Sequence, residues 1–257
     1  MQQKIQVALK SGELAKRALH QVGASVLYRT PASWRKRAFQ GEQHVCPICE
    51  SEVSAFLPIS RPYHAYCPVC QSLQRHRMVW LFMQQRGIIS GQAQHFLHIA
   101  PEPALARQFM KMSSLTYLSA DLFDKNAMVQ MDICNIQYPD ASFDIIYCSH
   151  VLEHVPDDRK ALSEFRRVLK PDGVAIILVP ITAAETFEDP SITDPSERER
   201  VFGQHDHVRV YGPDFAERLT DAGFDVEIVE SAQLANSNDL VRFGLPTKES
   251  IYFCKNQ

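Results

Sequence analysis

Cys46, Cys49, Cys67 and Cys70 stand in two short pairs, CPIC and CPVC, with seventeen residues between the pairs. Each pair can present two thiolates to one ion from a tight turn, and two such turns complete a tetrahedron of sulfur. That ligand set suits a closed, structural Zn²⁺; iron held by the same four thiolates stays open as the alternative. The intervening stretch ESEVSAFLPISRPYHAY has too few apolar residues for a core of its own, so a metal would supply much of the local folding energy. Cys134, Cys148 and Cys254 lie singly in apolar stretches. An odd total of seven in a chain of 257 residues argues against a disulfide framework and for a reducing, cytoplasmic setting.

A second group of reactive side chains lies in the polar run FEDPSITDPSERERVFGQHDHVRVYG. His205 and His207 flank Asp206, and Arg209 and Tyr211 follow. Imidazoles here suit removal of a proton from a hydroxyl or amine, and Arg209, with Tyr211, suits holding a carboxylate or phosphate of a substrate. Metal binding by the histidines with Asp189 or Asp194, and plain structural packing, compete with that reading. Arg75 and Arg77 flank His76 just after the second cysteine pair; they read either as a substrate-anion site or as an ordinary solvated helix start.

The elements that must carry these groups follow from periodicity. HFLHIA, LTYLSAD, MVQMDI, FDIIYCSH and GVAIILVP read as short buried strands, with helices over EPALARQFMKM and DRKALSEFRRVLKP between them. A helix over GPDFAERLTDAG has Gly223 at its natural stop, and FDVEIVE and ESIYFCKN close the chain, the last two strands reading as an antiparallel pair. This alternation predicts an α/β fold: a doubly wound, mostly parallel seven-stranded sheet. Upstream, residues 1–40 carry apolar positions at helical spacing, with Lys4, Lys10, Lys16 and Arg17 on the other side. The expected organisation is a basic helical segment 1–43, a zinc module 44–77, and an α/β domain 78–257 with an insert 181–209.

Charge is divided along the chain. Residues 1–90 hold 12 Lys/Arg against 4 Asp/Glu, whereas the whole chain has 27 against 30. A basic front suits a phosphate, a nucleic acid or an acidic membrane surface, or is simply a solvated face. The most apolar run, VAIILVPI, is too short to span a bilayer, so membrane contact, if any, is peripheral.

DASFDIIYCSHVLEHVPDDRKALSEFRRVLKPDGVAIILVP, with LEHVPD and RVLKPDG together, resembles the class I S-adenosylmethionine-dependent methyltransferases, especially the type 11 group. The resemblance covers residues 95–230 well and the first 90 poorly. It implies S-adenosylmethionine as cofactor and a set of residues to hold it. The family's glycine-rich turn after the first strand is here LHIAPEPA, with Ala100, Glu102 and Ala104 at glycine positions and His98 where an acid is common. Without glycine the turn is expected to avoid positive φ and take another shape, with Glu102 meeting the cofactor's ammonium group. Asp121 takes the place of the ribose-binding carboxylate, whose two oxygens match a cis-diol. Leu122 and Phe123 fall beside the adenosine, Asp132 at the adenine amino group, Ile133 on the adenine face, and Ser149 and His150 beside the methyl-transfer pocket. Glu153 and His154 match the family's LEH signature. A nicotinamide dinucleotide fits less well, because it needs a glycine-rich turn against a pyrophosphate.

The sequence therefore predicts methyl transfer to a hydroxyl or similar nucleophile of a small, acidic metabolite or glycan intermediate. Two other readings stand beside it: an RNA or protein methyltransferase gripping its substrate through the metal module and basic front, and a non-catalytic binding or scaffolding protein that kept the fold.

Overall fold

The computed structural model describes residues 29–59 and 61–256. The helix expected over residues 1–40, with Lys4, Lys10, Lys16 and Arg17, falls mostly outside them. These residues divide into two compact units. One takes the chain up to Phe82 together with Leu234–Thr247; the other takes Met83–Gln233 and the chain from Lys248 onward.

In the first unit a short helix, α1 (Ala32–Ala38), leads into an antiparallel pair, β1 (Gln40–Cys46) and β2 (Ser51–Val53). A second antiparallel pair follows, β3 (Leu57–Ile59) and β4 (Arg61–Tyr66), before α2 (Gln74–Gln85). The return of residues 234–247 to this unit departs from the division expected from sequence. Its cause is hydrogen bonding. The guanidinium of Arg77 donates to the carbonyls of Phe243 (2.7 Å), Gly244 (2.6 Å) and Ser72 (2.8 Å), and lies 4.0 Å over the Phe56 ring. Gly244 is required there: its φ is +58°, and an added Cβ would sit 2.6 Å from that ring.

The second unit is built on a seven-stranded sheet. Its strands are β5 (Gln94–Ile99), β6 (Leu115–Asp121), β7 (Val129–Gln130), β8 (Phe143–Ser149), β9 (Leu169–Leu178), β12 (Phe224–Glu230) and β13 (Ser250–Asn256). The order across the sheet is β12-β13-β9-β8-β5-β6-β7; β13 alone runs antiparallel to both neighbours. This is the doubly wound, mostly parallel sheet that the alternation predicts, with the closing pair antiparallel as expected. The chain winds from β5 outward to β6 and β7, then returns to β8 on the other side of β5. The switch opens a crevice at the carboxyl ends of β5 and β8, where ligands bind in such sheets.

Helices cover the sheet: α3 (Pro103–Phe109), α4 (Asp158–Val168), α5 (Pro195–Phe202) and α6 (Phe215–Asp221) in this unit, with α7 (Ser231–Leu234) at its boundary and α8 (Ser237–Phe243) in the other. α4 shows why such helices form. The Asp157 side chain accepts from the Lys160 amide, and Ala161, Leu162, Phe165 and Val168 recur on one face and are fully buried. Burying one such large side chain is worth about 1.5–3 kcal/mol. The helix stops at Val168, three residues before its expected end, where Leu169 pairs with Phe143 and opens β9; a register shift with Asp172 at φ 63° follows before pairing resumes at Val174. The third strand shrinks to Val129–Gln130 for a similar reason: β6 pairs with it only at Ala120 and Asp121. The insert 181–209 is structured, with α5 capped by Asp194 and ended by Gly203 at φ 89°, and β10 (Phe187–Glu188) paired to β11 (Arg209–Val210).

The turn after β5 corrects one expectation. Ala100 adopts φ 48°, so the glycine-free loop does use a left-handed residue. His150, just past β8, does the same at φ 56°. Both are anchored by their amides, Ala100 to the Ala120 carbonyl and His150 to the Leu178 carbonyl, each at 2.8 Å. Strained non-glycine backbone at the ends of the two central strands marks the crevice as a place where shape is held against its local cost.

Candidate functional site

The site residues fall at neighbouring strand ends. Ala100 and Glu102 follow β5, Asp121 ends β6, Asp132 and Ile133 follow β7, and Ser149 and His150 close β8. Asp121 Oδ1 accepts from the amides of Phe123 and Asp124, both at 2.7 Å, which fixes the carboxylate and leaves Oδ2 without a hydrogen bond among the described residues. Leu122 and Phe123 beside it are exposed, Phe123 at 83%. The exposed Asp132 is oriented by the Cys134 amide at 2.8 Å. Ser149 Oγ is buried with no hydrogen-bond partner among the described residues. Ile133 packs into the hydrophobic core, so only a small part of it can cover a ligand.

His98 is not a ligand-facing residue, contrary to its expected place among the cofactor contacts. Its ring is fully buried, with Nδ1 2.9 Å from Tyr117 Oη and Nε2 2.8 Å from Glu102 Oε2, while Tyr147 Oη donates to Glu102 Oε1 at 3.2 Å. The arrangement is self-consistent when Tyr117 donates to Nδ1 and Nε2–H donates to the carboxylate. Burial, then the Glu102 charge, pushes the Tyr117 pKa up, so its proton stays in place for that bond. His98 thus positions Glu102 from below. Tyr117 and Tyr147 were missed from sequence; their signal is the register, which sets Tyr117 across from Phe96 and Tyr147 across from His98, on the same sheet face as His98.

The insert resolves into two clusters. Arg209 and Tyr211, expected to hold substrate, are buried structural groups. Arg209 donates to the carbonyls of Leu152 (2.8 Å), Val155 and Pro156 (2.9 Å), and to Glu188 Oε2 at 2.8 Å. Tyr211 Oη donates to Asp158 Oδ2 at 2.7 Å, and burial with the Asp158 charge raises its pKa strongly. Arg218 donates to both Asp158 and Glu188, closing the network. A buried guanidinium whose Nε, Nη1 and Nη2 all donate to protein groups is not placed to take a substrate anion. Arg77 is corrected on the same ground, being fully buried and committed within the first unit. Arg75, in that unit, is partly exposed.

His205 stands exposed on the surface, away from the other imidazoles' contacts. His207 is buried and packs edge-on against His154, ring centroids 4.6 Å apart. Burial, then the nearby His154, lowers the His207 pKa, which favours the neutral ring. His150 is half-buried, with Nδ1 3.5 Å from Glu153 Oε1 and Nε2 3.8 Å from Glu249 Oε2.

In the first unit the four cysteines converge. Cys46 and Cys70 Sγ lie 3.6 Å apart, Cys49 and Cys67 Sγ 3.7 Å. Four sulfurs at ~2.3 Å from one tetrahedral ion are about 3.8 Å from each other. The two turns are built alike. The Glu50 amide donates to the Cys46 carbonyl and the Gln71 amide to the Cys67 carbonyl, and both Glu50 (φ 57°) and Gln71 (φ 68°) are left-handed. Ser72 Oγ lies 3.3 Å from Cys46 Sγ and 3.2 Å from Cys70 Sγ, an outer-shell contact of the kind that orients metal thiolates.

Residues 97–177 match the methyltransferase domain family. The matched segment begins in β5 and ends in β9, so it holds the switch-point crevice. A 27-O-demethylrifamycin SV methyltransferase of Amycolatopsis mediterranei is 30% identical over 115 residues, 43% of this chain and 40% of that protein. A sterol 24-C-methyltransferase of Gibberella zeae is 43% identical over 53 residues, 21% of this chain and 14% of that protein. The chain thus spans less than half the length of these curated relatives. Among solved structures, an S-adenosylmethionine-dependent methyltransferase from Mesorhizobium loti aligns with TM-score 0.48 and 15% identity over 69% of this chain and 97% of that one.

Proposed function

We propose that this chain transfers a methyl group from S-adenosylmethionine to a hydroxyl or similar nucleophile of a small molecule. The observation that carries the proposal is Asp121: a carboxylate locked by two amides at a strand end, with one oxygen uncommitted, inside the segment that matches a methyltransferase domain. The donor set fits this cofactor. Asp121 Oδ2 suits the ribose diol, Asp132 the adenine amino group, Leu122 and Phe123 the adenosine faces, and Glu102, held by His98 and Tyr147, the ammonium group. When bound, the cofactor supplies a methyl carbon already activated on a sulfonium sulfur. The chain's own part is alignment and proton removal. His150, at the end of β8 beside Glu153 and Glu249, takes the acceptor's proton.

The acceptor's negative charge loses the support that Arg77 and Arg209 were expected to give, so the proposal asks only for an ionisable hydroxyl or equivalent. A macromolecular acceptor is the second reading, favoured by Trp34, 74% exposed beside exposed Lys36 and Arg37. For the cysteine site we propose one Zn²⁺ as a structural ion.

Calorimetry with S-adenosylhomocysteine tests the central proposal. Binding to the wild type, weakened in Asp121→Ala by about 1.5–3 kcal/mol, is expected for loss of a charge-assisted hydrogen bond. Equal affinity in a folded variant, or binding of NAD in place of the homocysteine product, overturns it. Steep salt dependence of RNA binding at the basic front would favour the second reading.

A further inference from the structure

We propose a second metal site in the α/β unit, formed by Glu153, His154 and His207 and separate from the four cysteines, that takes a divalent first-row transition cation. Each of these residues offers one ligand atom, and the three atoms lie within 4.8 Å of one another. Glu153 and His154 come from the turn after β8, His207 from the insert 54 positions later, and the Val208 amide ties the two segments by donating to the Glu153 carbonyl at 2.9 Å. The placement is therefore part of the fold and independent of side-chain chance.

Both imidazoles carry the outer-shell bond that metal-binding histidines use. His207 Nδ1 lies 3.3 Å from the Phe202 carbonyl, which can only accept, so the proton sits on Nδ1 and Nε2 carries a lone pair. That Nε2 is buried and has no hydrogen-bond partner among the described residues. A neutral acceptor left unmatched in the interior costs stability unless something binds it. His154 Nδ1 lies 3.2 Å from Asp206 Oδ2, a carboxylate–histidine pair that leaves Nε2 as the nitrogen for an ion. The third group, Glu153, is a carboxylate with 2% of its side chain exposed. Two imidazoles and one carboxylate suit zinc, iron, cobalt or manganese better than calcium or magnesium. Three protein ligands leave positions open for water or for an oxygen donor, which is the pattern of a working site more than of a structural one. On the methyl-transfer reading, that open position stands near His150 and suits the acceptor's hydroxyl.

The chemistry differs from that of the cysteine site, and this makes the two separable. Full-length protein, with its zinc content measured as purified, is titrated with Co²⁺. The expected result is about one further equivalent bound, with weak visible ligand-field bands and no thiolate-to-cobalt charge transfer. His207→Gln and His154→Gln abolish that equivalent while the zinc at the cysteines stays, and Asp206→Asn weakens it about 10- to 100-fold. If either variant fails to fold, the wild-type cobalt protein still decides. Its proton spectrum must show two strongly shifted, solvent-exchangeable imidazole N–H signals, one from each Nδ1–H. No further equivalent in the wild type, cobalt bound with thiolate charge transfer, or full binding in the folded variants would each overturn the proposal. S-Adenosylhomocysteine binding is measured alongside; its presence without a second metal refutes this site and leaves the methyl-transfer reading standing.

Discussion

Replacing Arg209 by methionine separates the two roles open to this residue. The side chain is 3% exposed and donates to the carbonyls of Leu152, Val155 and Pro156 as well as to Glu188. Methionine keeps most of the volume and removes all of these donors. Three backbone carbonyls lose a donor, of which Leu152 keeps the Val155 amide, and Asp158, 3% exposed, keeps Arg218 and Tyr211 as its side-chain donors among the described residues. Removing one partner of a buried ionic network costs about 3–5 kcal/mol. For a unit of this size each kcal/mol moves the melting midpoint by about 2–4 °C, so a fall of about 6–20 °C is expected. The effect has an acid signature. Burial opposes ionisation of Glu188, but hydrogen bonds from Arg218 and Arg209 outweigh it and hold its pKa below the ordinary value. A depressed folded pKa gives stability that is complete above the unfolded value and is lost as pH falls through the folded one. The stability difference between wild type and variant should therefore narrow as pH drops below the carboxylate range. Denaturant unfolding across pH, followed by circular dichroism, measures both effects. An unchanged midpoint together with a raised acceptor KM would refute the structural role and restore Arg209 to the substrate.

Three further outcomes are expected. Cys67→Ser should lose one metal equivalent by elemental analysis and lower solubility, with the seven-stranded sheet's circular dichroism largely kept; an unchanged metal content would remove the ion from the cysteines. Ala100→Val should cost about 1–2 kcal/mol, since a β-branched side chain resists left-handed backbone, whereas Ala100→Gly should stay near neutral; equal effects in denaturant titrations would contradict the positive φ. His98→Phe should weaken S-adenosylhomocysteine binding through Glu102 while leaving unfolding within about 2 kcal/mol, close to the value of the lost hydrogen bonds; unaltered affinity would release Glu102 from the cofactor.

Much of this protein is readable from its sequence because the relevant signals are local. A CxxC pair sets two thiols on one turn whatever surrounds it. The run from Phe96 to Leu178 announces its strands through short apolar blocks and its helix through a buried face at helical spacing. Asp121, at the end of such a block, can only emerge at the sheet's carboxyl edge. The tertiary structure alone decided the rest. An arginine in a polar loop has the same sequence signature whether it faces solvent or collects carbonyls from a turn more than fifty residues away, as Arg209 does. The meeting of Glu153 and His154 with His207, and the return of Leu234–Thr247 to the cysteine-bearing unit, depend on hydrogen bonds between segments distant in the chain. Ala100 carries no mark of its left-handed backbone, because that conformation is imposed by the strands it joins: local preference predicts the cost, and only the assembled sheet can offset it.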